Sequence, residues 1–247
     1  MTSDGTAGSA SSSGGNRPGL SETGKPGERG GPGEARGAAG SDRRVVLATR
    51  NEHKVAELRD ILADALASTG MELVGVGDFP EAEDVVESGV TFAANALLKA
   101  HAAMAATGLP ALADDSGLVV DVLGGSPGVF SARWSGVGGT DRDSANNRLL
   151  LAQLADVPAE HRGAGFVCAA ALVLPDGTEI VREGHVRGVL TTEPIGSEGF
   201  GYDPLLMRPD GRTLAQHLPA DKHALSHRGE AFRALANDLV ATFGSAD

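Results

Sequence analysis

The sequence predicts an α/β fold with a mixed, twisted sheet and flanking helices, and three patterns support that prediction. Short apolar runs alternate along the chain with segments of helical periodicity. The first such segment places Val55, Leu58, Ile61 and Leu62 on one helical face. Two predicted strands, 166–174 and 178–190, flank the hairpin-turn sequence 175–177.

The remaining elements follow the same alternation. Short apolar runs predict strands at 45–48, 72–76 and 111–113, and the chain is expected to continue extended over 118–123. Thr91 and Ser226 are suitable N-caps for helices that run to about residue 106 and to the C-terminal region. Another helix is predicted at about 143–155.

Composition restricts the function. The 247 residues include 21 basic and 33 acidic ones, a net charge of −12, which argues against a general nucleic-acid binder but allows a small anionic ligand in a local basic pocket. The single Cys168 excludes an intramolecular disulfide and a multi-cysteine zinc site. With no apolar stretch of roughly 20 residues and no signal-peptide pattern, we expect a cytoplasmic protein without a membrane partner.

Residues 1–43 differ in composition from the rest. They are rich in Gly, Ser, Pro and Arg and almost lack large apolar residues, so we expect a disordered extension. A partner-binding tail and a dispensable extension both fit this composition. Residues 44–247 are then the folded domain.

The segment 49–54 follows a predicted strand and begins a helix. Free N–H groups there favour phosphate, Thr49 and Asn51 can donate hydrogen bonds, and Lys54 adds charge. Glu87 and the helical face of Thr91, Asn95 and Lys99 form a second polar group, which could equally be a solvated helix side.

Asp114 and Asp115 follow the predicted strand at 111–113. Two adjacent carboxylates repel each other, and Mg²⁺ would relieve that repulsion. The alternative is a capped turn, because Asp-Ser-Gly is a common turn sequence.

Two glycine-containing segments complete the candidate site. Residues 196–204 surround Phe200 and Tyr202 with glycines, which allow a ligand to approach the backbone and a base to stack. Lys222, His227 and Arg228 gather donors near a helix start, where cations oppose the helix dipole and an anionic partner is expected. Arg133 is a further candidate phosphate clamp, although a structural role fits it equally well.

Five blocks together resemble the inosine triphosphate pyrophosphatase family, also called the Ham1-like family. They occur in the family's order at 47–54, 87–96, 113–118, 199–204 and 226–229. The resemblance covers about residues 44–243. It implies a homodimeric enzyme with an elongated central sheet and two lobes around a cleft, which uses Mg²⁺ to hydrolyse ITP, dITP and XTP to the monophosphate and pyrophosphate.

The resemblance also implies residue roles. Glu87 and Asp115 would hold the metal, and Asp115 would be the general base. The triphosphate would lie against Thr49, Arg50, Asn51, Glu52, His53, Lys54 and Ser116. The base and sugar would lie against Phe200, Gly201, Tyr202, Asp203, Lys222, His227 and Arg228.

Base selectivity has a physical explanation in these residues. A purine C6 carbonyl accepts hydrogen bonds from Lys222, His227 or Arg228, whereas the adenine amino group would leave those donors unpaired. Arg50 and His53 replace glycines that are usual in the family, and Gln216 stands where Glu is common. A related pyrophosphatase for other modified nucleotides, or a nucleotide-binding module without turnover, remains the alternative.

Overall fold

A computed structural model describes residues 43–217 and 225–244. Its sheet has six strands in the order β2-β1-β3-β4-β5-β6. Their bounds are β1 Arg44–Leu47, β2 Glu72–Gly75, β3 Ala111–Val120, β4 Gly163–Val173, β5 Glu179–Leu190 and β6 Leu206–Met207. β1 is parallel to β2 and β3, whereas β3 through β6 pair antiparallel. The mixed α/β fold predicted from the sequence is therefore confirmed.

The helices also agree with the sequence patterns. They are α1 Glu52–Ile61, α2 Ala63–Thr69, α3 Phe92–Thr107, α4 Arg142–Gln153 and α5 His227–Phe243. Thr91 and Ser226 cap α3 and α5 as predicted, each accepting a hydrogen bond from a backbone N–H in the first turn. The sequence patterns did not predict α2 or the short strand β6, and residues 121–123, which were expected to be extended, form a 3-10 helical turn.

Helices cover both faces of the sheet around β1. Val45 and Leu47 face the core formed by α1, α2 and α5, whereas Val46 faces the core under α3. β4 lies in the middle of the sheet and contributes to both cores, which explains its nearly continuous apolar sequence.

A further core lies at the other end of the long strands. Leu118 and Val120 of β3 pack there with Leu150 of α4 and with Leu205 and Leu206 near β6. The long strands β3, β4 and β5 thus connect two groups of packed side chains, which correspond to the two expected lobes.

The structure corrects one sequence prediction about β3. The strand does not end at Asp114; it continues to Val120, so Asp114 pairs with Ala170 and Asp115 with Ala169 in the middle of the ladder. Neighbouring side chains in a strand point to opposite faces. The capped-turn interpretation is therefore wrong. The two carboxylates point to opposite faces of the sheet, so the repulsion expected between adjacent carboxylates does not define this site.

Two predictions lie outside the described residues. The expected disordered extension has only Arg43 within the described part of the chain, and Lys222 lies between its two described ranges. Within 43–217 and 225–244, no helix combines the length and apolar character needed to cross a bilayer.

Candidate active site

Asp114 lies on the face of β3 that contacts α5 and α1. Its Oδ2 accepts a hydrogen bond from Arg228 Nε at 3.1 Å, and its Oδ1 lies 3.5 Å from Lys54 Nζ. Burial alone would raise the pKa of Asp114, but the charges of Arg228 and Lys54 outweigh it and hold the pKa well below the usual range. Asp114 is therefore an anion that holds two cations in place.

Asp115 lies on the opposite face, under the first turns of α3. Its Oδ2 accepts a hydrogen bond from Asn95 Nδ2 at 2.9 Å, and its Oδ1 accepts one from the Ser116 N–H at 3.0 Å. Lys99 Nζ lies 2.7 Å from Glu87 Oε1 and 3.7 Å from Asp115 Oδ1. Burial raises the pKa of Asp115, while Lys99 and the Asn95 hydrogen bond oppose the rise and Glu87 adds to it.

A cavity of about 300 Å³ opens on the Asp114 side of the strand. Its wall includes Ser116, Phe166, Phe200, Tyr202, His227 and Arg228. The His227 ring stacks on the Phe166 ring with centroids 5.0 Å apart and planes 15° from parallel. The Phe200 ring is 64% exposed, so it is available to a flat ligand.

The glycine loop beside Phe200 is fixed from several directions. Gly201 N–H donates to Asp143 Oδ2 at 2.8 Å, and the Gly201 carbonyl accepts from Asn147 Nδ2 at 3.0 Å. Asp203 Oδ2 accepts from the Phe200 N–H at 3.0 Å, and Tyr202 donates to the Ser131 carbonyl at 2.9 Å. These bonds hold the loop backbone while leaving the Phe200 ring exposed.

A second cavity of about 380 Å³ lies beside the first helix and the loop that carries Glu87. Its wall includes Thr49, Arg50, Lys54, Glu87, Lys99 and Asp114. This lining is much richer in charge than that of the first cavity. Three cations (Arg50, Lys54 and Lys99) face four carboxylates (Glu83, Asp84, Glu87 and Asp114), and this mixture suits an anionic ligand bound together with a cation.

The Asp114–Arg228 ion pair connects the two cavities. Arg228 lines the first cavity and Asp114 the second, and Arg228 Nη2 also donates to Ser116 Oγ at 3.4 Å. A cavity with a largely apolar surface and a charged cavity are thus joined through one buried ion pair, and this arrangement fits a molecule with a ring at one end and anionic groups at the other.

A sequence model of the Ham1 family matches residues 45–238. The chain belongs to the Ham1 family. A dITP/XTP pyrophosphatase of Streptomyces avermitilis is 62% identical to it over 194 residues, which cover 78% of this chain and 94% of that protein.

Solved Ham1 structures share the fold. The HAM1 protein of Coxiella burnetii is 37% identical with a TM-score of 0.73, and the match covers 80% of this chain and 98% of that one. A nucleoside-triphosphatase / dITP/XTP pyrophosphatase of Mycobacterium abscessus is 50% identical with a TM-score of 0.67, covering 78% of this Ham1 chain and 97% of that one.

In this Ham1 chain, some residues of the segment 49–54 line the charged cavity and others lie on the exposed surface. Thr49, Arg50 and Lys54 line the charged cavity, whereas Glu52 and His53 are exposed and do not line either cavity described above. Arg50 Nε donates to Asp84 Oδ1 at 3.1 Å, so this departure from the family pattern anchors the Glu87 loop. Asn51 Oδ1 caps α1 by accepting from the N–H groups of His53 and Lys54.

The other predicted residues lie mainly around the first cavity. Ser116, Phe200, Gly201, Tyr202, Asp203, His227 and Arg228 all line it. Ser116 was expected against the triphosphate, but it lines the first cavity, where its hydroxyl accepts a hydrogen bond from Arg228. The exposed Arg133 lies over the Phe130 ring at 5.4 Å and outside both cavities, which favours its structural role.

Sequence reasoning assigned no role to several residues that shape the site. Asn95 and Lys99 were recognised only as a polar helix face, and their partners were not apparent. Asp143 accepts a hydrogen bond from the Gly201 N–H, and His217 lines the first cavity. No sequence motif around either residue indicated these roles. Gln216, noted as a departure, accepts from the Thr213 N–H at 3.0 Å in a short capping box.

The donor atoms around Lys99 fit a magnesium ion. In the described part of the chain, no three His, Cys, Asp or Glu side chains form a closed metal cluster. Mg²⁺ does not require one, because it commonly uses one or two carboxylates together with substrate phosphates and water. Glu87 and Asp115 both approach the same ammonium nitrogen, so one cation already lies between the two proposed ligands.

Proposed function

We propose that this Ham1 chain is a dITP/XTP pyrophosphatase that hydrolyses noncanonical purine nucleoside triphosphates, dITP, ITP and XTP, to the monophosphate and pyrophosphate. The observation that supports it best is the position of Asp115. The Asp115 side chain is only 13% exposed and its Oδ1 lies 3.7 Å from Nζ of Lys99, a residue that lines the charged cavity. Its neighbour in the strand, Ser116, lines the first cavity. The identity with named dITP/XTP pyrophosphatases supports the substrate class.

The purine occupies the first cavity in this proposal. Phe200 offers an exposed ring for stacking, and His227 and Arg228 can donate hydrogen bonds to a C6 carbonyl. Lys222 would be a third donor. Adenine carries an amino group at C6, so it would leave buried donors unpaired, and that loss is the basis of discrimination against ATP.

The triphosphate occupies the charged cavity. Lys54 and Lys99 line this cavity and would neutralise part of the triphosphate charge. Glu87 and Asp115 would hold Mg²⁺, which supplies charge neutralisation and polarises phosphoryl oxygens when it is bound. Thr49 lies at the strand end where the chain turns into this cavity.

Asp115 would act as the general base. A carboxylate oxygen accepts a proton from the attacking water, and Asn95 and Ser116 keep the carboxylate oriented while it does so. Burial raises the pKa of Asp115, which makes the carboxylate a stronger base than an exposed aspartate. The charge of Lys99 and the hydrogen bond from Asn95 oppose that rise of the pKa.

The enzyme is further proposed to be a cytoplasmic homodimer. The resemblance to the inosine triphosphate pyrophosphatase family supports both statements. The apolar side chains of Val122, Phe130 and Val137 are about half exposed, and apolar surface of this kind is common in subunit interfaces. Light scattering coupled to gel filtration measures the mass of the assembly.

A pyrophosphate-release screen with Mg²⁺ tests the proposed activity. We expect kcat/KM for ITP, dITP or XTP to exceed that for ATP by at least about 10²-fold, which corresponds to roughly 2.7 kcal/mol of transition-state stabilisation. GTP and a modified pyrimidine triphosphate belong in the same screen. Asp115→Asn serves as the matched control for contaminating phosphatases.

Three results would contradict the proposal. Equal rates for ATP and ITP would remove the proposed role of the C6 donors. Faster hydrolysis of a modified pyrimidine would assign the chain to a different substrate class. Binding of dITP without pyrophosphate release would identify a nucleotide-binding module instead of an enzyme.

A further inference from the structure

Asn95 is a fully buried amide in the first turn of α3, with 0% of its surface exposed. Its Nδ2 donates to Asp115 Oδ2 at 2.9 Å, and its Oδ1 accepts from the Gly89 N–H at 2.7 Å. Both ends of one side chain are therefore engaged. One end holds the central strand, and the other holds the loop that carries Glu87.

Gly89 can reach Asn95 only because it lacks a side chain. A Cβ atom on Gly89 would lie 2.6 Å from Asn95 Oδ1 and 2.9 Å from Ala94 Cβ. Side-chain atoms do not approach so closely, so any larger residue at position 89 must move the loop away from α3. Glu87, two residues earlier in the chain, would move with it.

We propose that Asn95 is a positioning residue that fixes the Glu87 and Asp115 carboxylates relative to each other for the pyrophosphatase reaction; this inference rests on the proposed function. Only a side chain that both donates and accepts can make these two contacts. An aspartate could accept from Gly89 but would face Asp115 with a second negative charge. A leucine of similar size would satisfy neither partner.

A second buried asparagine, Asn146, makes hydrogen bonds of a different kind. Asn146 accepts from the Ser135 N–H and donates to the carbonyls of Ser131 and Ala132. All its partners are backbone atoms of one loop. Asn95 differs in both of its partners. One is the carboxylate of Asp115, the proposed general base, and the other is the N–H of Gly89, in the loop that carries the proposed metal ligand Glu87.

The test compares Asn95→Ala and Gly89→Ala with the parent and with Thr69→Val. Thr69 is also a buried polar residue, but its hydroxyl donates only to carbonyls of its own helix, those of Ala65 and Leu66. It therefore reports the loss of a buried hydrogen bond away from the site. For each chain, one measures kcat and KM for dITP, the Mg²⁺ concentration at half-maximal rate, and the rise in Tm produced by Mg²⁺ alone.

We expect Asn95→Ala to lower kcat at saturating Mg²⁺ by about 10–100-fold, as for other residues that orient metal ligands, while KM for dITP stays within about threefold. Its half-saturating Mg²⁺ concentration should rise, and the Mg²⁺-induced rise in Tm should largely disappear. Gly89→Ala should reproduce the Mg²⁺ defects although it leaves the Asn95 side chain in place. Thr69→Val should lower Tm and keep the parent response to Mg²⁺.

The proposal is overturned if Asn95→Ala loses stability but keeps the parent kcat and Mg²⁺ response, because Asn95 would then be structural like Thr69. If Asn95→Ala does not fold, a parent-like Mg²⁺ response in Gly89→Ala overturns it instead. A parent chain that releases no pyrophosphate refutes the proposed function. In that case the Mg²⁺-induced change in Tm still decides whether Asn95 positions the two carboxylates.

Discussion

Replacing Asp115 with asparagine keeps the size of the side chain and removes its charge. The carboxylate accepts two hydrogen bonds on separate oxygens, from Asn95 Nδ2 and from the Ser116 N–H. An asparagine has only one acceptor oxygen, so one of these donors loses its partner in either orientation, at a cost of about 1–3 kcal/mol. Burial raises the pKa of Asp115, which means that removing the charge recovers part of this loss.

The expected net effect on stability is small. A loss of about 1 kcal/mol in a folded domain of this size lowers Tm by about 2–4 °C. The effect on catalysis should be much larger, because loss of a general base alone typically lowers kcat by about 10²–10⁴-fold. Asp115→Asn should therefore be a folded and nearly inactive protein.

Asp114→Asn is the matched control on the other face of the same strand. The Asp114 side chain is only 5% exposed and holds both Arg228 and Lys54. Removing one partner of a buried pair costs about 3–5 kcal/mol, so Tm should fall by at least about 6 °C. Its kcat per folded molecule should fall less than that of Asp115→Asn.

Thermal unfolding without Mg²⁺ and steady-state pyrophosphate release measure the two effects separately. An Asp115→Asn enzyme within about tenfold of the parent kcat would place the base elsewhere, with Glu87 or Asp114 as the next candidates. A larger Tm loss in Asp115→Asn than in Asp114→Asn would refute the assignment of stability to one face and catalysis to the other.

Three further predictions concern pH, a buried arginine and the N-terminal segment. Burial raises the pKa of Tyr202 above its ordinary value of about 10, so the folded chain keeps the phenol protonated and loses stability as pH rises past about 10. Tyr202→Phe should reduce that alkaline loss, and since the chain has one tyrosine, tyrosinate absorbance at the ordinary pKa in the folded protein would contradict this. Arg162 is 2% exposed and donates to the carbonyls of Leu154, Val157 and Thr191, so Arg162→Met should lose at least about 3 kcal/mol in urea unfolding while kcat per folded molecule is unchanged. An unchanged urea midpoint would show that water replaces these bonds. Deleting residues 1–42 should leave kcat and Tm nearly unchanged, because the family match begins at residue 45 and the segment has few core-forming residues; a large loss of either would assign it a structural or catalytic role.

Most elements of the fold could be predicted because their signals are local. Helix caps at Thr91 and Ser226 and the apolar face of α5 depend on residues a few positions apart. The hairpin of β4 and β5 depends on a turn sequence between two adjacent strand segments. β6 has only two residues, too few to show a period.

The error at Asp114 and Asp115 has a physical cause. Aspartate is uncommon in strands, and Asp-Ser-Gly is frequent in turns, so local preference ends the strand early. Arg228 lies 114 positions away in sequence from Asp114, and its charge makes a buried strand aspartate acceptable. A partner at that separation leaves no local signal.

The same limit explains which site residues were recognised. The motifs that resemble the family located Glu87, Asp115 and the Phe200 loop, and the spacing of Asn95 and Lys99 showed that they share a helix face. The contacts that give Asn95 and Asp143 their roles join distant segments. A single sequence does not reveal such contacts, because either residue alone is compatible with an exposed position.

The register of β3 makes the site sensitive to changes in chain length. Ten consecutive residue pairs join β3 to β4, from Ala111 with Val173 to Val120 with Ala164. Suppose that one residue of 111–113 is deleted and the rest of β3 shifts by one position along β4 to close the gap. Every following side chain of β3 would then point to the opposite face of the sheet. Asp115 would then take the place of Asp114 beside Arg228, and Asp114 would turn to the face under α3, although neither acid had been mutated. Insertions and deletions should be tolerated at the turn of residues 175–177 and rejected within β3, even where substitutions of its apolar residues are accepted.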